Sequence, residues 1–309
     1  MTPHARNQLR ADLALLGISL IWGTTFTLVK EALEDGTPWV FLSLRFLTAT
    51  VALFPFALRG SRWPWKEGAA LGIVLAVGYL AQTIGLSTIE PGRSAFLTGV
   101  SVVLVPLLGG LFLWERLGRW DVIGALLAWA GLASLTGWIL HPGDRLAGGD
   151  AWTLACALAF AFHILWVGRF THKHPTIRLT WIQIAVATVV LVVGTGVVEP
   201  DSVSEILGRG SGGLLRMSPA FLGIVAFTGV FATALTLILQ IRMQRLTTAS
   251  HTAVIFATEP VFAALLSYAV RSERPRPEEI VGAVMILSGI LVVQLSRSRD
   301  ESRLPAIQA

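Results

Sequence analysis

Long blocks of apolar residues constrain the fold of this chain more than any other feature of its sequence. Four of these blocks run from Leu13 to Leu28, Gly68 to Leu86, Ala95 to Trp114 and Val122 to Leu140. A helix that crosses a bilayer needs about 20 mostly apolar residues, and these blocks are close to that length. Only 14% of the 309 residues are charged, whereas soluble domains carry about 25%. The sequence therefore predicts an integral membrane protein with several spans.

Charged, glycine and proline clusters divide the chain into ten predicted spans. The spans cover residues 12–31, 38–58, 67–88, 93–114, 121–140, 150–169, 178–198, 218–241, 248–270 and 278–296. These segments are continuously apolar and lack the alternation of barrel strands, so they favour helices over a β-barrel. The predicted fold class is an all-α integral membrane protein with ten transmembrane helices.

Basic residues are distributed unevenly between the two sides of the predicted bundle. If the amino terminus lies inside, 15 of the 24 Lys and Arg residues fall in inner segments and 8 in outer segments. Cytoplasmic loops of membrane proteins carry an excess of basic residues, so both termini are predicted to be cytoplasmic. The basic residues are scattered among short loops and form no single patch, and we predict no nucleic-acid partner.

Residues 12–140 and 150–296 are predicted to be two related halves of five helices each. Corresponding positions are Asp12 and Asp150, Trp22 and Phe160, Arg45 and Gln183, Gly124 and Gly282, and Gly131 and Gly289. An odd number of spans in each half inserts the second half upside down relative to the first. Many secondary transporters are built as such inverted repeats, with the substrate site near the midplane between the halves.

Short motifs in both halves occur in a recognisable order. They are Trp22-Gly23-Thr24-Thr25-Phe26, Leu44-Arg45-Phe46, Ser94-Ala95-Phe96-Leu97-Thr98-Gly99 followed by Pro106, Trp114-Glu115-Arg116, and Glu259-Pro260-Val261-Phe262. Over residues 12 to 295 the chain resembles the EamA family of the drug/metabolite transporter superfamily. The resemblance implies ten helices, cytoplasmic termini and transport of small organic metabolites, often the export of amino acids. The sixth span, around Phe160 and His163, lacks the tryptophan-glycine pair, which implies looser symmetry in the second half.

The first span carries an aromatic and hydroxyl-bearing face. Trp22, Thr25, Phe26 and Val29 fall at i, i+3, i+4 and i+7 and therefore share one side of a helix. Helix packing is one interpretation of this face. The other is that Trp22, Thr25 and Phe26 line a midplane cavity and bind substrate.

Two formal charges, Arg45 and Glu259, lie well inside predicted spans. A charge that faces lipid is costly, so both side chains must face protein or water. A structural interpretation is a buried ion pair, or an arginine that caps backbone carbonyls. A functional interpretation is that Arg45 binds a substrate carboxylate while a protonatable Glu259 couples export to proton entry. The sequence leaves both interpretations open.

Other polar side chains extend the candidate substrate site. Tyr79 and Gln82 are three residues apart on one face of the third span, which suits them to orient an amide or a carboxylate. His163 and Gln183 complete the candidate set, although a lone histidine is more often a hydrogen-bonded packing residue. Further polar positions within spans are Thr233, Thr236 and Gln240.

Glycine and proline make separate predictions about helix shape. The stripes Gly124 with Gly131 and Gly282 with Gly289 predict close helix packing. Pro106 and Pro260 lie within spans, where proline removes a backbone hydrogen bond and favours a kink.

The predicted function is that of a secondary active transporter in a bacterial inner membrane, exporting a small amphipathic metabolite by alternating access. Its predicted partners are this small molecule and the lipid bilayer, and its assembly stays open between a monomer and a homodimer. The alternatives are a non-transporting partner subunit and a membrane enzyme acting on a lipid-like substrate. The chain has no Walker-type phosphate loop and a single cysteine, Cys156. The sequence therefore predicts no cofactor, no metal and no catalytic residue.

Overall fold

A computed structural model describes residues 3–58, 63–112, 118–135, 148–202, 217–271 and 276–303. Within these ranges every regular element is helical and there is no strand. The helices are α1 (Pro3–Asp35), α2 (Pro38–Ala57), α3 (Trp65–Thr88), α4 (Pro91–Gly99), α5 (Ser101–Phe112), α6 (Arg119–Leu135), α7 (Gly148–Phe170), α8 (Thr176–Val198), α9 (Pro219–Gly229), α10 (Thr236–Met243), α11 (Ala249–Phe256), α12 (Glu259–Arg271) and α13 (Pro277–Arg303), with a π turn (Val230–Leu235) between α9 and α10.

Seven helical segments of the described chain are long and apolar enough to cross a bilayer. They are Arg6–Asp35, Pro38–Ala57, Trp65–Thr88, Pro91–Phe112, Gly148–Phe170, Thr176–Val198 and Pro219–Met243, and a shorter apolar segment covers Ala249–Leu265. They coincide with the first four predicted spans and with the sixth to the ninth. Large apolar side chains such as Val51, Leu111 and Val197 are exposed on the outside of the bundle, as lipid contact requires. The all-helical, multi-pass membrane fold is confirmed, and the count of ten spans stays a prediction.

Several helices begin at a hydroxyl side chain followed by proline or a small residue. Thr37 accepts a hydrogen bond from the backbone N–H of Val40 at the start of α2, and Ser218 accepts one from Phe221 at the start of α9. Proline occupies the first position of both helices, where its missing N–H costs nothing. These caps mark where the chain turns back into the bundle.

The ninth predicted span is broken and not merely kinked. Helix α11 ends at Phe256, two residues form a turn, and α12 begins at Glu259 with Pro260 in its first turn. A proline fits the first turn of a helix because the N–H groups there have no intrahelical partner. In the fourth predicted span the helix is interrupted at Val100, whereas Pro106 lies inside α5.

Two pairs of helices from opposite halves of the chain cross in antiparallel directions. Helices α2 and α8 are joined by hydroxyl contacts, Ser43 to Thr195 at 2.8 Å and Thr50 to Thr188 at 2.7 Å. Helices α6 and α13 meet through their glycines, because Gly124 lies against Gly289 and Gly131 lies against Gly282. In both pairs the residue numbers rise along one helix and fall along the other. The close packing predicted from the glycine stripes is confirmed.

Replacing Gly124 by alanine tests the α6–α13 contact. A Cβ atom at Gly124 would lie 2.7 Å from the carbonyl oxygen of Gly289, so the backbones must separate. We expect Gly124→Ala to lower the free energy of unfolding by about 1–3 kcal/mol, measured as a lower thermal midpoint in detergent. Gly223→Ala is the matched control, because a Cβ there meets nothing within 4 Å. Equal midpoints for the two variants would contradict the contact.

Candidate functional site

Side chains from two other helices, α1 and α2, donate hydrogen bonds to the π turn. A π turn replaces the regular i to i−4 hydrogen bonds, widens the helix locally and frequently occurs at functional sites. The carbonyl of Ala232 accepts a hydrogen bond from Trp22 Nε1 at 2.9 Å, from Arg45 Nη2 at 3.4 Å and from Thr236 Oγ1 at 2.9 Å. Arg45 Nε also donates to Thr233 Oγ1 at 2.8 Å. Helices α1 and α2 are therefore fastened to the irregular part of the α9–α10 span.

A cavity lies beside this junction, between residues of both halves of the chain. Seven residues of the candidate set line it: Trp22, Thr25, Arg45, Tyr79, Gln82, His163 and Glu259. Trp22 is ten residues after Asp12 on α1, so at 1.5 Å per residue the cavity beside Trp22 lies about 15 Å along this helix from Asp12. The space open to the centre of a water molecule is about 60 Å³. One water needs roughly 10–15 Å³ on this measure, so the cavity has room for several.

Two residues of the candidate set lie outside the cavity lining. Phe26 packs in the apolar core that includes Phe41 and Phe46, so it follows the packing interpretation of the α1 face. Gln183 is fully buried on α8 and contacts His163 instead of the cavity. Periodicity placed Trp22 and Phe26 on the same face, but only part of that face is turned towards the cavity.

His163 is oriented by Gln183. Its Nε2 lies 2.8 Å from Gln183 Oε1, and because an amide oxygen can only accept, Nε2 carries the hydrogen. A neutral imidazole in this tautomer presents Nδ1 as an acceptor. The contact joins α7 to α8 and holds the ring at the edge of the cavity.

Arg45 is held by an aromatic group as well as by the π turn. Its guanidinium carbon lies 4.6 Å from the centre of the Tyr79 ring, which is within the range of a cation–π interaction. Tyr79 packs edge to face against Phe46 and Phe160. Among the described residues Arg45 forms no ion pair with Glu259. Of the two structural interpretations of Arg45, the structure shows the arginine that bonds a backbone carbonyl and not the ion pair with Glu259.

Glu259 stands at the amino-terminal end of α12 and lines the cavity. The dipole of a helix favours a carboxylate at this end. The side chain is partly exposed, and in the described part of the chain it has no hydrogen-bond or ion-pair partner. Its carboxylate is therefore available to a solute or a proton.

An ion pair and a carboxylate–histidine contact join helices that line the cavity. Arg93 on α4 makes two bonds of 2.7 Å to Asp150 on α7, and Asp12 on α1 lies 2.8 Å from His251 on α11. Lys30, near the end of α1, donates to three carbonyls at the end of α3, which places that end of α1 beside the start of α4. The Arg93–Asp150 pair therefore lies at one end of the bundle and the Asp12–His251 pair at the other.

From the sequence, Asp12 and Asp150 are predicted only to be corresponding residues at the starts of two spans. Their partners were not identified, because nothing local to Arg93 or His251 in the sequence indicates a pairing with a distant helix. In the described ranges no group of three or more His, Cys, Asp and Glu could hold a metal ion. The motif Trp114-Glu115-Arg116 lies outside the described residues.

Comparison with known proteins identifies relatives along the whole chain. The model of the EamA-like transporter family matches residues 9–137 and again residues 147–295. An uncharacterised transporter of Archaeoglobus fulgidus is 33% identical over 93% of this chain and 87% of that protein. The uncharacterised transporter YoaV of Bacillus subtilis is 22% identical over 93% of this chain and 97% of that protein.

Two further comparisons concern location and fold. The uncharacterised inner membrane transporter YedA of Escherichia coli is 28% identical over 51% of this chain and 53% of that protein. A solved crystal structure with 21% sequence identity superposes with a TM-score of 0.73 over 94% of this chain and 99% of that one. This superposition shows a shared fold.

Replacing Trp22 by phenylalanine tests its bond to the π turn. The phenyl ring keeps most of the edge-to-face contact with Phe256 but cannot donate to the Ala232 carbonyl. We expect the free energy of unfolding to fall by about 0.5–1.5 kcal/mol, measured by thermal or denaturant unfolding in detergent. Trp152→Phe, at a half-exposed position, is the control and should cost less. The junction would be contradicted if both variants were equally stable.

Proposed function

The chain belongs to the EamA-like transporter family, and from this membership we propose that it is a secondary active transporter and not an enzyme. Its substrate would be a small amphipathic metabolite such as an amino acid, exported from the cytoplasm. The observation that carries the proposal is a cavity built from both halves of the chain, with aromatic walls and with a guanidinium and a carboxylate that form no ion pair with each other. Such a cavity suits a solute that has an apolar part and charged ends.

The proposed architecture is two inverted repeats, 12–140 and 150–296, of five helices each. The antiparallel crossings support it, because α2 and α8 occupy corresponding places in the two halves, as do α6 and α13. The excess of basic residues on one side supports cytoplasmic termini. The relationship to YedA supports a bacterial inner membrane as the location.

Substrate recognition would use both the aromatic and the charged lining. Trp22, Tyr79 and Phe160 offer apolar contact, and Gln82 and Thr25 offer hydroxyl and amide groups. Arg45 uses Nε and Nη2 on the π turn, and its side chain also lines the cavity. We assign Arg45 the role of binding a substrate carboxylate.

Alternating access would use the Arg93–Asp150 pair and the Asp12–His251 pair as gates. Each pair ties together two helices that line the cavity, and both pairs are closed in this structure. Opening the Arg93–Asp150 pair would separate α4 from α7 and expose the cavity on the outer side. Opening the Asp12–His251 pair would separate α1 from α11 and expose it to the cytoplasm.

Transport in proteoliposomes tests the proposed function. With a panel of labelled amino acids we expect at least one to cross faster than in protein-free liposomes and to be driven by a pH gradient. Glu259→Gln removes the only ionisable carboxylate among the described residues that line the cavity. We expect it to lower gradient-driven transport at least tenfold while exchange without a gradient continues.

Glu90→Gln is the matched control, because Glu90 is exposed at the start of α4. It should transport as the wild type does. Proton coupling would be wrong if Glu259→Gln kept full gradient-driven transport. The transporter proposal itself would fail if the wild type moved no member of the panel and no other small metabolite.

Thiol labelling tests the gates. With Cys156 replaced by alanine, Thr98→Cys places a single thiol in the cavity lining. Arg93→Gln should increase its rate of reaction with an impermeant maleimide added outside by about tenfold, the change that 1.4 kcal/mol of lost pairing produces. Asp12→Ala removes the acceptor of the other contact and should not increase outside labelling. The reverse pattern, or no change in either variant, would contradict the assignment of the gates.

A further inference from the structure

Gln240 on α10 and Gln244, the residue directly after α10, form a chain of amides whose direction is set by a backbone carbonyl. Gln244 Nε2 donates to the carbonyl of Ile164 on α7 at 3.1 Å. A carbonyl can only accept, so Gln244 must turn its Oε1 the other way, and this oxygen accepts from Gln240 Nε2 at 3.2 Å. Gln240 cannot reverse its amide without placing two oxygens against each other. The network therefore fixes where Gln240 Oε1 points.

Gln240 Oε1 is a buried acceptor at the cavity. Gln240 is 1% exposed and lines the cavity. Its Oε1 has no hydrogen-bond donor among the described residues. Nearly all buried polar atoms in folded proteins have a partner, and leaving one without a partner is costly, especially in a bilayer, where water is scarce. Because Gln240 lines the cavity, a donor for this oxygen can come from water or from a solute held there.

Two other side chains that line the cavity also present acceptors. Glu259 presents a carboxylate without a partner in the described chain, and His163 presents Nδ1 because its Nε2–H is used by Gln183. The donors of the cavity lie elsewhere, since Trp22 and Arg45 are directed to the π turn. The lining of the cavity therefore includes acceptors on α7, α10 and α12 and the guanidinium of Arg45 on α2.

We propose that Gln240 Oε1 and the Glu259 carboxylate form a subsite for a primary ammonium group. An ammonium group has three N–H donors, enough to supply both oxygens at once, whereas a hydroxyl group supplies one and a carboxylate none. Its positive charge is matched by Glu259, whose carboxylate lines the cavity and has no ion-pair partner in the described chain. The subsite deepens the proposed function, on which it rests, by assigning one end of the substrate. An amino acid would lie with its ammonium towards α10 and α12 and its carboxylate towards Arg45.

Binding of matched probes to the purified protein tests this subsite. The probes are L-leucine, 3-methylbutylamine, which lacks the carboxylate, and 4-methylpentanoate, which lacks the ammonium, together with the corresponding series built on L-phenylalanine. We expect the wild type to bind an ammonium-bearing member of at least one series, measured by calorimetry. Gln240→Leu should weaken this binding by about 10- to 100-fold, the usual cost of a hydrogen bond to a charged group. Binding of the carboxylate-only probes should not change.

Three further variants separate the subsite from a general loss of structure. Gln240→Glu keeps an acceptor oxygen for the ammonium group but gives up the bond to Gln244 Oε1, so it should retain ammonium binding that is weaker than in the wild type, even if Gln240→Leu does not fold. Gln244→Leu leaves the acceptor but removes the bond that orients it, so its affinity should fall between those of the wild type and Gln240→Leu. Thr228→Val is the control, because Thr228 is buried in the same span, outside the cavity, and bonds only within its own helix.

The outcomes distinguish the subsite from the transporter proposal. The subsite is overturned if no ammonium-bearing probe binds the wild type, or if Gln240→Leu binds these probes as tightly as the wild type does. If the subsite is overturned in this way but the wild type still carries a labelled amino acid across the liposome membrane, the transporter proposal stands without the subsite. If the ammonium-dependent loss is found but no solute crosses, the subsite stands and the transporter proposal fails.

Discussion

The hydrogen bonds that fasten the π turn are the interactions on which the rest of the bundle depends. A bilayer offers no partners for backbone groups, so a spanning segment must satisfy them within the protein. The turn at Val230–Leu235 departs from the regular helix, and the Ala232 carbonyl is satisfied by Trp22, Arg45 and Thr236. Through these bonds α1 and α2 are held against the α9–α10 span. The wall of the cavity is formed by the same contacts.

Some polar groups around the cavity do not follow this rule. Many hydroxyl groups of the spans bond to the preceding turn of their own helix, as Thr48 and Thr228 do. Around the cavity, Glu259 and Gln240 Oε1 have no protein partner among the described residues, although each is held in place by its helix or by its neighbours. In a membrane interior, polar groups that are oriented but not satisfied are expensive. Their cost is offset when a polar solute or a proton occupies the site.

The sequence predicted the parts of this arrangement that follow from local pattern. Apolar blocks predicted the helical membrane fold, the glycine stripes predicted the α6–α13 contact, and depth within a span identified Arg45 and Glu259. It did not predict the π turn, because no residue type marks one and its stability comes from donors on other helices. The Asp12–His251 contact joins residues 239 positions apart, and the orientation of Gln240 depends on a carbonyl of α7. The sequence pattern placed Phe26 on the same helix face as Trp22 and Thr25, and that face predicted a cavity position for all three. Only part of the face reaches the cavity, and Phe26 lies on the part that packs in the core.

The most direct test of the account is a cryo-electron microscopy structure of the protein in lipid nanodiscs with a transported solute bound. We expect density for the solute between α1, α3, α7 and α10, with its cationic end beside Gln240 and Glu259 and the π turn still bonded to Trp22. Solute density at another location, with the cavity around Arg45 unoccupied, would contradict the account.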